Sequence, residues 1–141
     1  MSATTDRSPS YFILPDLLSH CKYPLRVNPY AREQSRASEQ WLREGANHDD
    51  RKRAAFLGLK AGPLASACYP DADATCLRVV TDFMNYVINL DDWTDEFDVD
   101  DNITMEKCCI GAMRDPINFR TDKKAGILTK SYACVRTRSF F

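Results

Sequence analysis

Residues 74–97 read ATCLRVVTDFMNYVINLDDWTDEF, and this stretch decides the fold. Its apolar side chains recur at steps of three and four residues from Leu77 to Leu90, which is the period of a helix with one apolar face. Asp71 or Asp73 lies just before the stretch and can accept the free N–H groups of a first helical turn. We therefore predict one long helix over residues 74–97.

The rest of the chain carries similar helical signals in shorter segments. Asn28-Pro29 offers a cap followed by proline at the first helical position, and Asp49 or Asp50 can cap a second helix, which Gly62-Pro63 would end. No segment alternates between apolar and polar side chains as a strand does, so the predicted fold class is all-α. The predicted helices are residues 30–44, 50–60, 103–115 and 123–135, with a short helical turn at 63–70.

The composition is that of one globular domain, since the 141 residues are 44% hydrophobic and 28% charged. With 19 basic and 20 acidic side chains, we expect no nucleic-acid partner and no attraction to an anionic membrane. No run reaches the roughly 18 apolar residues of a membrane span, because Asp82 interrupts the best one. The N-terminus lacks the layout of a signal peptide. We therefore expect a cytoplasmic protein whose six cysteines are reduced and mostly buried.

The apolar face of the long helix continues into an acidic cluster, with seven carboxylates between residues 91 and 101. At about 100° per residue, Asp91 shares a helix face with Met84 and Val87, and Ile88 lies beside them. Asp95 falls on that face one turn later. This arrangement predicts a pocket with an apolar floor, lined by Met84, Val87 and Ile88, and an anionic mouth.

The position of these acids is unfavourable without a partner. A helix C-terminus is itself partly negative, and Asp91 and Asp95 repel each other one turn apart. Bound divalent cations remove this penalty, and Mg²⁺ takes one or two carboxylates together with waters and phosphate oxygens, which the D-D-x-x-D pattern of Asp91, Asp92 and Asp95 can supply. The alternative is a solvated acidic run, which composition alone favours.

The spacing argues against two other kinds of metal site. A calcium-binding EF-hand loop starting at Asp98 would need Gly at its sixth position and Glu at its twelfth, where the chain has Ile103 and Cys109. A zinc site needs spaced cysteine pairs, and the chain offers only Cys108-Cys109 and His20-Cys21.

Several motifs together resemble the basidiomycete fungal sesquiterpene synthases, which are class I terpene cyclases. They are FILPDLLSHCKYPLRVNP at 12–29, DRKRAAFLGL at 50–59, VTDFMNYVINLDDWTDEFD at 80–98, MRDP at 113–116 and GILTKSY at 126–132. The resemblance covers residues 11–132. It leaves residues 1–10 as a disordered N-terminus and residues 133–141 as a divergent tail.

The resemblance implies the N-terminal portion of an α-helical barrel around an apolar cavity. It further implies that the enzyme ionises farnesyl diphosphate with Mg²⁺, that Asp91 and Asp95 are the principal metal ligands, and that Asp92 has a helper role. Aromatic faces would stabilise the resulting carbocation. Phe83, Tyr86 and Trp93 come into question for this role, although core packing is the main interpretation of each ring.

The chain departs from the family pattern in one important respect. The family's second metal motif, of the type Asn-Asp-x-x-Ser-x-x-x-Glu, does not occur in these 141 residues. We therefore expect an incomplete barrel, truncated after about residue 132, with impaired or no cyclase activity. The alternative is a non-catalytic remnant that binds a full-length relative, or associates with other chains, through its uncovered helices.

Overall fold

The computed structural model describes residues 12–16, 19–46 and 49–139, with the backbone alone at 50, 53 and 135–139. These residues form six α-helices and no strand, which confirms the predicted all-α fold class. The predicted disorder of residues 1–10 lies outside the described residues. The helices are α1 (Ala31–Ala46), α2 (Asp50–Gly58), α3 (Ala61–Cys68), α4 (Ala74–Glu96), α5 (Val99–Arg114) and α6 (Lys124–Ser139).

Aspartates fix the start of three helices. Asp49, Asp73 and Asp98 each accept the backbone N–H of the residue three positions later, at 2.7 to 2.8 Å. These bonds stabilise the charged carboxylate and so lower the pKa of Asp49 and of Asp73. Asp49 and Asp73 were both among the caps predicted from the sequence.

Helix α5 begins four residues earlier than predicted, at Val99 rather than at 103. The reason is Asp98, whose side chain accepts the Asp101 N–H and caps the helix. Asp100 and Asp101 therefore lie in the first turn, where negative charge is favourable against the helix dipole.

The connection between α2 and α3 also differs from the prediction. Gly62-Pro63 does not end α2, which stops at Gly58, but lies in the first turn of α3. Proline is tolerated there because the N–H groups of a first turn have no helical acceptor.

At the other end of the chain, α6 continues to Ser139, so the predicted domain boundary after residue 132 falls inside a helix.

Helix α4 lies at the centre of the fold, in contact with α1, α3 and α6. Helices α1 and α6 are antiparallel. The Trp41 Nε1 donates to Ser131 Oγ at 2.9 Å, and one turn later in α1 Gly45 lies against Leu128, which comes earlier in α6. The hydrophobic core is formed by residues of α1, α4, α5 and α6, namely Leu42, Ala46, Tyr86, Trp93, Met105, Ala125, Leu128 and Tyr132.

The buried side chain of Asn28 joins the start of α1 to the loop between α3 and α4. Its amide nitrogen donates to the carbonyls of Tyr69 and Ala72, at 2.9 and 2.7 Å, and its amide oxygen accepts the Tyr30 N–H at 2.9 Å. The residue predicted to cap α1 therefore also holds the segment that leads into α4.

The predicted burial of the cysteines is wrong. Cys21, Cys68 and Cys76 are exposed, and Cys108, Cys109 and Cys134 are half-buried; all six are free thiols. The exposed cysteines lie in the extended N-terminal segment and at the two helix ends that flank the α3–α4 loop. These positions have little core around them.

Apolar side chains remain exposed along two helices. On α4, Phe83 and Val87 are 46% and 42% exposed, and on α5, Ile103 and Ile110 are both 42% exposed. Both helices therefore carry apolar side chains that the described residues leave open to solvent.

Candidate functional site

A cleft of about 340 Å³ lies between α2 and the C-terminal half of α4. The α4 wall brings together three of the predicted metal ligands with one of the predicted pocket residues. The lining side chains are Lys52, Ala55 and Phe56 of α2, Leu59 directly after it, and Ile88, Asp91, Asp92 and Asp95 of α4. The cleft is thus apolar along one part and carboxylate-rich along another.

Met84 and Val87, the other two predicted pocket residues, do not line this cleft. They lie one to two turns before Asp91 on α4, where Met84 is half-buried and Val87 is 42% exposed. Their assignment to a larger cavity stays a prediction.

The last turns of α4 are oriented by Trp93, which is only 6% exposed and belongs to the core. Because Trp93 points inward, Asp91, Asp92 and Asp95 point outward, and all three are exposed. The end of the helix is completed by Asn102, whose amide nitrogen donates to the carbonyls of Thr94 and Phe97 at 3.1 and 3.2 Å.

Lys52 of α2 provides a positive charge inside the acidic cleft. Its Nζ donates to Glu96 Oε1 and lies 3.8 Å from Asp92 Oδ2. The bond to Glu96 is the main cause that raises the pKa of Lys52. Among the described side chains, Asp91 and Asp95 take part in no ion pair. Sequence analysis missed Lys52, although the basic segment DRKR, which opens one of the motifs quoted above, was the available signal.

A row of polar side chains is buried on the inner face of α4. Asp82 is fully buried beside Arg78, and burial raises the pKa of its carboxyl. The Asn85 Nδ2 donates to Ser38 Oγ of α1 at 2.8 Å. Asn89 is also fully buried, and neither of its amide atoms has a hydrogen-bond partner among the described residues. The helical period did not predict this row, because it counts polar residues as outward-facing.

The three aromatic residues considered for cation stabilisation differ in their surroundings. Tyr86 and Trp93 are buried at 4% and 6% exposure, as the core-packing interpretation predicts. Phe83 is 46% exposed, so core packing is wrong for this ring. The Tyr86 ring stacks on Tyr132 of α6 with 5.2 Å between ring centroids, and Phe83 lies 6.1 Å from the same tyrosine.

The donor chemistry of the cleft suits a hard cation, although the carboxylates form an open arrangement. In the part of the chain that the structure describes, no group of three or more His, Cys, Asp or Glu side chains is placed to hold a metal ion by itself. Mg²⁺ does not need such a cage, because it uses one or two carboxylates and keeps its other positions for waters and phosphate oxygens. The carboxylates of Asp91 and Asp95 are therefore donors of the type that an open magnesium site would use.

Comparison with known proteins identifies relatives over nearly the whole chain. Sesquiterpene synthase 1 of Postia placenta is 40% identical over 131 residues, which cover 93% of this chain and 38% of that protein. Alpha-muurolene synthase of Coprinopsis cinerea is 39% identical over 125 residues, covering 86% and 29%. Sesquiterpene synthase Agr1 of Cyclocybe aegerita is 37% identical over 120 residues, covering 85% and 35%. No family model matches the chain.

These matches confirm the resemblance seen in the motifs, since over most of its length the chain is similar to sesquiterpene synthases of basidiomycetes. It spans between 29% and 38% of the length of these three relatives. Among the described residues, no helix combines the length and the apolar content needed to cross a membrane.

Proposed function

We propose that this chain contributes the first metal-binding motif of a Mg²⁺-dependent sesquiterpene cyclase that acts on farnesyl diphosphate. The observation that carries the proposal is the single cleft that Asp91, Asp92 and Asp95 share with Ile88. Carboxylates and apolar side chains in one cleft match a substrate with a diphosphate at one end and a hydrocarbon chain at the other.

In this proposal Asp91 and Asp95 hold the metal, and Asp92 supports them from the neighbouring helix position. Bound Mg²⁺ supplies Lewis-acid neutralisation of the charge that develops on the departing diphosphate. The apolar side of the cleft, including Ile88 and Phe56, keeps water away from the allylic end of the substrate. Met84 and Val87 extend this apolar surface along α4.

The 141 residues by themselves supply only one carboxylate arm, since the second metal motif does not occur among them. We therefore propose that they bind Mg²⁺ and diphosphate without efficient turnover. The test is incubation of the purified chain with MgCl₂ and farnesyl diphosphate, followed by gas chromatography of the extract. No cyclic product above a boiled control is expected. Cyclic product that is formed by the wild type and disappears in Asp91→Asn would overturn the proposal of impaired turnover. It would at the same time support Asp91 as part of the metal site.

A second candidate function is association with a full-length relative through the uncovered helices. The exposed apolar side chains of α4 (Phe83 and Val87) and of α5 (Ile103 and Ile110) favour it, because exposed apolar surface is found at interaction sites. Size-exclusion chromatography with a full-length sesquiterpene synthase tests it. Co-elution that is lost in Phe83→Ser/Val87→Ser supports the association. Separate elution of this chain as a monomer in the presence of the relative rules it out.

A further inference from the structure

Lys52 links α2 to one side of the acidic helix end. Its ammonium group contacts both Asp92 and Glu96, which lie four residues apart and therefore on one ridge of α4. The side chains of all three residues are partly exposed, at 36% for Lys52, 50% for Asp92 and 47% for Glu96. The protein itself thus supplies a counter-charge to this ridge.

The neighbouring ridge is formed by Asp91 and Asp95, which are also four residues apart. Neither carboxylate takes part in an ion pair with any side chain that the structure describes. Both line the same cleft as Lys52. The two ridges carry equal formal charge, yet among the side chains that the structure describes a positive partner is placed only at the ridge that contains Asp92.

We propose that Lys52 is a positioning residue that divides the acidic cluster, holding Asp92 and Glu96 in an internal ion pair and leaving Asp91 and Asp95 as the carboxylates available to a divalent cation. This inference rests on the proposed function, because it assigns a role within that metal site. Its consequence is selectivity. Mg²⁺ is satisfied by one or two carboxylates, whereas Ca²⁺ takes roughly six to eight oxygen ligands and gains from each further carboxylate.

Removing the ammonium group should therefore change which metal the cleft prefers. We compare Lys52→Gln with Arg51→Gln, which removes the same charge from an exposed neighbouring position of α2. Isothermal titration calorimetry with MgCl₂ and with CaCl₂ gives the affinities. Lys52→Gln should tighten Mg²⁺ binding by only about threefold, because it removes a repulsive positive charge. It should tighten Ca²⁺ binding by about tenfold, because it also frees the Asp92 carboxylate as a further ligand. Arg51→Gln should change either affinity by less than about twofold.

Asp92→Asn in the Lys52→Gln background should return the Ca²⁺ affinity to about the wild-type value, because it removes the freed ligand. Lys52→Met, which keeps the aliphatic stem, repeats the test if the glutamine variant does not fold by circular dichroism. Equal effects of the Lys52 and Arg51 variants, or weaker metal binding in Lys52→Gln, would overturn the role of Lys52.

The outcomes also separate this inference from the proposed function. If the wild type binds metal and Asp91→Asn abolishes binding, the metal site stands whatever Lys52 does. If neither the wild type nor Lys52→Gln binds either metal, both the metal site and the role of Lys52 are overturned. Binding that appears only in Lys52→Gln supports the internal counter-charge and contradicts metal binding by the wild-type chain.

Discussion

The Nε atom of Arg78 lies 2.8 and 3.0 Å from the two carboxylate oxygens of Asp82, one turn further along α4. Asp82 is fully buried, while the Arg78 side chain is 27% exposed. Burial raises the pKa of the Asp82 carboxyl, and the Ser38 side chain of α1 acts with Arg78 against that rise. Asp82 therefore places a buried carboxyl group at the contact between α1 and α4, where Arg78 offsets the cost of burying it.

Replacing Arg78 with Met should destabilise the fold, because the buried Asp82 carboxylate loses its charged partner. Since Arg78 is partly open to water, we expect a loss of about 2 kcal/mol in the free energy of unfolding, below the range for fully buried pairs. Urea denaturation measures it. The control is Arg32→Met, at an exposed position of α1, which should stay within about 0.5 kcal/mol of wild type. Equal losses in the two variants would contradict a structural role for the pair.

The capping aspartate Asp73 should make stability depend on acid pH. Its pKa is lower in the folded chain than in the unfolded one, where it is about 3.9, so its contribution is present above that pH and is lost as the pH falls through the folded-state value. Asp73→Ser keeps a capping oxygen that does not titrate. Between about pH 6 and pH 3, the wild type should therefore lose more thermal stability than Asp73→Ser. Parallel losses in thermal melts would show that this cap does not contribute to the acid sensitivity.

The buried amide of Asn89 should be replaceable with a gain in stability. Neither of its polar atoms has a partner among the described residues, so Asn89→Leu removes an unsatisfied group and adds apolar contact. We expect an increase of about 1 kcal/mol in the free energy of unfolding. Asn85→Leu is the matched control, since it breaks the bond to Ser38 and should destabilise by about 1 kcal/mol. A loss of stability in Asn89→Leu would mean that the amide is satisfied in solution.

The close approach of α1 and α3 depends on Gly62. A Cβ atom at this position would overlap the Ser35 side chain and lie 3.0 Å from the Ser35 Cα, whereas a Cβ at Gly58 meets nothing within 4 Å. Gly62→Ala should therefore destabilise by about 2 kcal/mol through forced separation of the helices. Gly58→Ala, in the last position of α2, should be neutral or stabilising by up to about 1 kcal/mol. Chemical denaturation of both variants checks the contrast, and a neutral Gly62→Ala would show that the two helices can separate freely.

The helices could be predicted from the sequence because their signals are local. The period from Leu77 to Leu90 and the caps at Asp49 and Asp73 act within a few residues, and the structure has helices at these places. Lys52 was missed because its partners, Asp92 and Glu96, lie about 40 residues away in the chain and only the fold places α2 beside the end of α4.

The buried polar row was missed for a related reason. Asp82, Asn85 and Asn89 repeat at helical spacing, but a hydrophobic period assigns polar residues to the outer face. Only the positions of Arg78 and Ser38 show why Asp82 and Asn85 can lie inward. The predicted ligands Asp91, Asp92 and Asp95 do share one cleft, whereas Met84 and Val87 lie outside it.

The proposed carboxylate site is tested most directly by calorimetric titration of MgCl₂ with inorganic diphosphate into the wild type, Asp91→Asn, Asp95→Asn and Asp100→Asn. Asp100 lies in the first turn of α5 and serves as the matched control, since its replacement also removes one carboxylate from the acidic segment. We expect saturable binding that is lost in Asp91→Asn and Asp95→Asn and retained in Asp100→Asn. Binding that is the same in all four proteins, or absent from the wild type, would show that Asp91 and Asp95 do not form the site.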